Sequence, residues 1–326
     1  MFKKKGLISP KRDNENDYRS FKESDLIKLQ TILMYRELNL PIEKIKEIFK
    51  DDSKNNILDH FYTQWDVVNS EIHKIKLIQD SLENIMDTIY ESDGANYQQK
   101  IVEHIESMNK VWKIKNEWWD RWNFDSWAKT YDKSVKKDIS GLKFYKNYDN
   151  LLDQVFEKAI KDKEDNMKIL EIGVGTGNLA KRFLDKDYDI IGIDQSREML
   201  NQAKEKFPSL IVRLGDFLNI PYGDNKFDVL VSTYAFHHLN EDEKVIAINE
   251  MLRVTKSEGK IIIGDIMFES EEKKQARINI SNKEEVEEIE DEYFSNIDLL
   301  KKEFQKHNKQ VEVTRIDELI FIVEAK

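Results

Sequence analysis

The run K-I-L-E-I-G-V-G-T-G-N, Lys168 to Asn178, decides how this chain folds. It reads as a buried strand containing an acid, Glu171, that opens into a loop with glycine at every second position: Gly173, Gly175 and Gly177. Without a Cβ, such a loop lets the backbone approach a ligand closely. A second apolar run closes on Asp194, and Asp216 follows within Gly215-Asp216-Phe217. A strand, a glycine loop and spaced carboxylates make a site for a ribose-bearing ligand.

The details select among such ligands. A dinucleotide fingerprint needs G-x-G-x-x-G, but Asn178 stands where the third glycine would be. A phosphate-cradling loop would end in Gly-Lys-Ser/Thr, and no such triplet follows. Glu171 would repel a pyrophosphate and suits a cation. S-adenosylmethionine has a ribose, an adenine and a sulfonium but no phosphate, and it meets all three conditions. Asp194 is expected to accept from the ribose hydroxyls. Asp216 is expected to accept from the adenine amino group, with Phe217 beside the ring. The glycine loop and Glu171 face the amino-acid end and the positive charge. Gln195, Met199 and Ser232 complete the expected cofactor set.

This stretch resembles class I S-adenosylmethionine-dependent methyltransferases, and is closest to the YrrT-like group of small bacterial enzymes. The resemblance covers roughly Phe124 to Lys326. It is also carried by F-D-S-W-A-K-T-Y-D (Phe124–Asp132), F-D-V-L-V-S-T-Y-A-F-H-H-L (Phe227–Leu239) and D-E-Y-F (Asp291–Phe294). It implies cofactor binding at the positions of Gly173, Asp194 and Asp216, and a Rossmann-like seven-stranded α/β sheet. The alternation of strands and helices independently argues for a parallel sheet covered on both faces. The pattern predicts strands at 168–172, 190–194, 210–214, 229–233, 259–267, 311–315 and 320–324. The last two form a hairpin that adds one antiparallel edge strand, and an acidic helix spans about 283–306 before it.

Methyl transfer from a sulfonium is an in-line displacement, so the protein mainly supplies alignment. A base helps when the nucleophile must lose a proton. The catalytic candidates after the fourth strand are Tyr234, His237 and His238, since the carboxyl edge of the sheet faces ligand. Either histidine suits a base by its ordinary pKa and equally suits packing. Tyr131, before the first helix of this domain, is a further candidate to close over the methionine end. No metal site is expected, because His60, His73, His104 and His307 are scattered. The absence of cysteine excludes disulfides, thiolate zinc sites and cysteine nucleophiles.

The chain reads as four parts: 1–52, 53–92, 93–123 and 124–326. Residues 6–50 suggest a turn-rich ribbon with Ser9-Pro10 and a polar tip at Asp13–Asn16. A helix capped at Ser24 follows, with Leu26, Leu29, Ile32 and Leu33 on one face and Asn39 at its end. Pro41 starts another helix, with Ile42, Ile45, Ile48 and Phe49 turned inward. This head resembles the wing and following helices of MerR-type transcription regulators, with Tyr18-Arg19 at the wing's backbone-contacting pair. In that family a helix-turn-helix of roughly twenty residues precedes the wing, whereas five residues precede Gly6. DNA is therefore an expected partner only if such a motif precedes Met1. This part is an all-α/winged-helix remnant.

From Leu58 to Ile89 a heptad pattern predicts a long coiled-coil helix. One seam holds Leu58, Trp65, Ile72, Gln79 and Met86; the other holds Phe61, Val68, Ile75, Leu82 and Ile89. A homodimer through residues 58–89 is expected, as the matching MerR helix forms one. Packing on the chain's own second half is the alternative. Glu91–Asn96 breaks the helix, and Ile101–Val111 continues as another. Trp112, Trp118, Trp119, Trp122 and Trp127 then cluster, as an aromatic lid or as packing.

The net charge of −11 is uneven. Residues 1–50 hold twelve Lys/Arg against eight Asp/Glu; the rest hold 40 against 55. The basic head hints at a past contact with nucleic acid, while the acidic body and the lack of a basic groove argue against RNA as the acceptor. No apolar run nears the ~20 residues of a membrane helix, and M-F-K-K-K lacks the apolar stretch of a signal peptide. A cytoplasmic location is expected. The function read from these features is methyl transfer from S-adenosylmethionine to a small-molecule acceptor. The alternative is a MerR-type regulator whose second half senses S-adenosylmethionine.

Overall fold

The computed structural model describes residues 11–12, 18–37, 41–50, 57–91, 97–118, 120–138, 140–161 and 166–326. Ser9-Pro10, the 13–16 tip, Leu38, Asn39, Trp119 and the 92–96 break lie outside them. The chain divides into two compact units, 1–87 and 88–326.

In the first unit, β1 (Lys11–Arg12) pairs antiparallel with β2 (Arg19–Ser20). Three helices follow: α1 (Glu23–Glu37), α2 (Ile42–Lys50) and α3 (Ile57–Glu91). Asp25 accepts from the Lys22 N–H at 2.9 Å and so fastens the entry to α1. Ile32, Tyr35 and Ile45 form the core, with Leu29, Ile42, Phe49 and Val67 packed against it. Leu26 and Leu33, expected on the same face, are instead about half exposed. The buried stripe of α1 runs through Thr31, Ile32 and Tyr35. Thr31 donates to the Ile27 carbonyl and accepts from Gln64 of α3 at 2.8 Å, a buried bond that ties the two helices. Both heptad seams of α3 are largely exposed, with Ile72 at 58%, Ile75 at 64% and Leu82 at 54%. Gln79 donates to Glu83 on its own helix.

The second unit begins with α4 (Tyr97–Glu117), α5 (Phe124–Trp127), α6 (Tyr131–Lys137) and α7 (Tyr148–Ile160). Next come β3 (Ile169–Ile172), α8 (Ala180–Leu184), β4 (Ile190–Asp194), α9 (Arg197–Lys206) and β5 (Ile211–Leu214). Beyond them lie β6 (Phe227–Thr233), a 3₁₀ turn (Phe236–His238), α10 (Glu241–Val254) and β7 (Thr255–Phe268). The unit ends with α11 (Glu271–Ile280), α12 (Lys283–Asp291), β8 (Ser295–Asn296), α13 (Ile297–Lys306), β9 (Val311–Arg315) and β10 (Ile320–Ala325).

Seven strands follow one another in the order β5-β4-β3-β6-β7-β10-β9, and the short β8 pairs with β7 off this path. β3, β4, β5, β6 and β7 are mutually parallel, and every residue of β3 is buried, as a strand covered on both faces requires. Two sequence expectations need correction. The antiparallel strand is β10, which lies between β7 and β9, so the edge is β9. The single helix expected over 283–306 is two, α12 and α13. The break between them contains β8, and the Tyr293 N–H donates to the His237 carbonyl there. A tertiary hydrogen bond and a strand pairing override helix propensity at this point.

Candidate active site

The chain runs outward from β3 through β4 to β5, then returns to β6 on the other side of β3. Such a reversal leaves a crevice beyond the carboxyl ends of the strands. A cleft opens there, lined by the glycine loop, the ends of β3, β4 and β6, and aromatic residues from 118–148.

All three loop glycines have positive φ. Gly173 is the most constrained, at φ +72°; a Cβ there would lie 2.5 Å from the Ala235 Cβ. Backbone conformation and space both require glycine. Gly175 donates its N–H to Asp194 Oδ2 at 2.8 Å, and Ser196 N–H donates to Oδ1 at 2.9 Å. Burial pushes the Asp194 pKa up to about 6 against these two donors.

Glu171 is 1% exposed and lines the cleft. Its Oε2 has no hydrogen-bond partner. Burial first, and then the Asp194 charge, drive its pKa well above the carboxylate range. An orphaned carboxylate oxygen in a cleft is costly unless a ligand compensates it. A cationic ligand beside Glu171 would favour its ionised form, whereas a phosphate there would be repelled once it ionised. Asp216 lines the same cleft, and its Oδ1 accepts from Leu218 and Asn219 N–H at 2.6 and 3.0 Å.

Of the residues singled out in the sequence, Glu171, Gly173, Gly175, Asp194, Gln195, Met199, Asp216, Phe217, Tyr131, Tyr234 and His238 line the cleft. Three are set apart from it. A Cβ on Gly177 would meet the Phe207 ring, so this glycine serves packing of the loop. Ser232 is fully buried within β6. His237 turns inward, with Nδ1 2.6 Å from Oδ1 of the buried Asp265. Asp265 Oδ2 also accepts from Phe236 and His237 N–H, so one carboxylate holds the whole 3₁₀ turn. Burial works to lower the His237 pKa, but the Asp265 charge and hydrogen bond raise it overall.

Tyr145, Tyr148 and the role of Asp132 were not legible in the sequence, whereas the tryptophans belong to the cluster singled out there. Tyr145 and Tyr148 join Tyr131 and Tyr234 along the cleft; the Tyr148 and Tyr234 rings stack at 5.2 Å. Trp118 and Trp127 are lining residues, and Trp118 Nε1 donates to Gln195 Oε1 at 3.1 Å. Trp122 packs against His238, at 5.0 Å between centroids. Thus the tryptophan cluster is partly cleft wall and partly packing. Asp132 accepts from Thr176 at 2.6 Å, Asn178 at 3.0 Å and Lys206 at 2.8 Å, which latches α6, and with it Tyr131, onto the glycine loop. Among the described residues, His237, His238 and Glu292 are the group whose ligating atoms, all within 4.8 Å, could hold a metal ion. His238 Nδ1 lies 3.2 Å from Glu292 Oε2.

A parallel sheet reversing at β3, with a glycine loop and an acid-lined cleft beyond its strand ends, is the layout of a class I methyltransferase. Residues 169–259 match the methyltransferase domain family model, and residues 1–52 match that of the MerR HTH family of regulatory proteins. An uncharacterized methyltransferase of Oceanobacillus iheyensis is 39% identical over 62% of this chain and 95% of its own length. Another, from Alkaliphilus oremlandii, is 36% identical over 61% and 94%. The chain belongs to this methyltransferase family and joins to it a MerR-like N-terminal region. Among solved structures, magnesium protoporphyrin IX methyltransferase from Synechocystis with bound SAM aligns at TM-score 0.47 and 16% identity, over 65% of this chain and 95% of that one. Among the described residues no helix is long and apolar enough to cross a membrane.

Proposed function

We propose that the cleft binds S-adenosylmethionine and passes its methyl group to a small-molecule acceptor. The carrying observation is the partnerless Glu171 Oε2 in the same cleft as Asp194. Asp194 and Gln195 take the ribose, Asp216 and Phe217 the adenine, and Gly173, Gly175 and Glu171 the amino-acid end; Met199 packs beside the ribose. When bound, the cofactor supplies an electrophilic methyl on a good leaving group. The chain's residues align it and exclude water.

The pH dependence follows from Asp194. Its carboxyl is charged above about 6 and neutral below. The ionised form accepts from both ribose hydroxyls and favours a cationic ligand. Affinity for S-adenosylmethionine is therefore expected to weaken as pH falls from 7.5 to 5, by about tenfold per pH unit once well below that pKa. Calorimetry across this range tests it, and a flat profile would remove Asp194 from the ribose role.

Residues 58–89 serve as a homodimer seam in this reading, with 1–52 a MerR-like module, 93–123 a linker and 124–326 the catalytic domain. The exposed row Ile72, Ile75, Leu82 and Met86 supports it. Ile75→Glu with Leu82→Glu is expected to give a monomer by analytical ultracentrifugation, where the parent sediments as a dimer. A monomeric parent would sink the seam.

A regulatory second reading draws support from the Trp118–Gln195 bond. It places the residue just beyond α4 beside the ribose acid. In it the MerR-like module responds to cofactor occupancy.

A further inference from the structure

One stripe of α4 is docked on the catalytic unit. Val111 and Ile114, with Trp118 just past the helix end, have the spacing of a single helix face. All three pack against the core cluster that includes Ile246 and Met251 of α10 and Ile263 of β7. Three ion pairs to α10 run alongside: Lys110–Asp242 at 2.8 Å, Lys115–Glu250 at 3.5 Å, and Arg121–Glu243. The first is exposed and adds little. Lys115 and Glu250 are only 8% and 10% exposed, so separating them is costly. α4 lies in neither of the two family-matched stretches.

The stripe ends at the cleft. Trp118 is half-buried and lines it, and its Nε1–H donates to Gln195 Oε1. Gln195 follows Asp194, the acid at the tip of β4. The bond fixes the indole edge beside the position given to the ribose. The Arg121 guanidinium lies over the indole ring, 5.0 Å from its centroid, and donates to Glu243. Glu243 in turn accepts from the Asn240 N–H in the capping box of α10. An apolar seat, a hydrogen bond at the edge and a cation over the ring hold Trp118 in place, as a pre-organised binding residue is held. Aromatic rings stack on nucleobases whatever the base.

We propose that Trp118 is a donor-binding residue whose ring covers the adenosine half of S-adenosylmethionine, and that Lys115 and Arg121 are positioning residues that hold it there. This rests on the donor reading above. A helix outside the family-matched stretches thereby completes the donor site. Displacing α4 from α10 withdraws the ring and lowers donor affinity.

The test is calorimetry on the full chain with two probes, S-adenosylmethionine and 5′-methylthioadenosine. The second is a neutral thioether that keeps the adenosine half and lacks the amino-acid chain. Trp118→Leu keeps an apolar side chain for the α4 seat and removes the flat ring. It is expected to weaken both probes by the same factor, about tenfold to a hundredfold, as base–aromatic stacking contributes. Trp118→Phe keeps a ring without the N–H and is expected to fall between Trp118→Leu and the parent. Should Trp118→Leu fail to fold, as its unliganded thermal midpoint would reveal, Trp118→Phe carries the test by the same criterion of equal loss. Lys115→Met with Arg121→Met leaves Glu250 its Ile220 N–H and Arg253 partners, and Glu243 its capping bond. This pair of changes is expected to weaken both probes by roughly threefold to tenfold, and to add nothing in the Trp118→Leu background, because the clamp acts through the ring. Unchanged affinity in the Trp118 variants, or a loss confined to S-adenosylmethionine, overturns the adenosine role. So does a parent that binds the donor but not methylthioadenosine. Losses that add in full overturn the positioning role. A parent that binds neither probe would instead overturn the donor reading.

Discussion

Asp194→Ala is expected to weaken S-adenosylmethionine binding by roughly 100-fold or more. A hydrogen bond to a charged acceptor contributes about 1.5–3 kcal/mol, and two ribose hydroxyls are at stake. Losing about 3 kcal/mol corresponds to roughly a hundredfold in affinity. The same side chain holds the Gly175 and Ser196 N–H groups, so alanine also loosens the glycine loop. Asp194→Asn separates the two contributions. It keeps an acceptor for one backbone donor but loses the charge, and it should retain the thermal midpoint better than alanine while still binding weakly. Calorimetry on folded variants measures the affinity. Equal binding by the parent and Asp194→Ala would reject the site.

Asp265→Ala is expected to be the most damaging single change to the fold near the site, costing about 3–5 kcal/mol, as breaking a buried ion pair does. It strands the His237 ring, and it orphans the Phe236 and His237 N–H groups that shape the turn carrying His238. The pH dependence has two limbs. For Asp265, burial alone would raise the pKa, yet the His237 charge and hydrogen bond lower it below 3.8. Its stabilisation is thus present above 3.8 and lost as pH falls through the depressed value. His237 has its pKa raised above 6.5. Its stabilisation is complete below 6.5 and lost as pH rises through the folded value. The stability gap between the parent and Asp265→Ala should be widest between about pH 4 and 6.5 and narrow on either side. Urea melts at pH 3, 5 and 9 measure it. A gap independent of pH would mean that His237 is neutral throughout.

The β-strands and the acids that line the cleft were legible because their signals are local: a buried run of one period, a glycine loop, an acid at a strand tip. Strand spans of β3, β4 and β9 differ from the pattern by one residue at most. Sheet order is not local. Both final strands read alike, and only the pairing partners place antiparallel β10 inside and β9 at the edge. Likewise, the acid run Glu284–Glu292 is uniform in sequence. Glu292 is distinguished by a bond to a histidine 54 residues away. His237 and His238 are adjacent and indistinguishable by type. The buried Asp265 pulls one inward and so leaves the other on the cleft. The tyrosines at 145 and 148 carried no motif, and the Asp132 latch joins three distant segments, so neither had a signature along the chain.

The most direct measurement is a crystal structure of the chain with S-adenosylmethionine or its demethylated product. The account predicts the ribose hydroxyls on the Asp194 carboxylate, the sulfur end beside Glu171 and the glycine loop, and the methyl position facing the Tyr131–Tyr234 wall. A ligand lodged away from this cleft, or NADH occupying it in its place, would contradict the account.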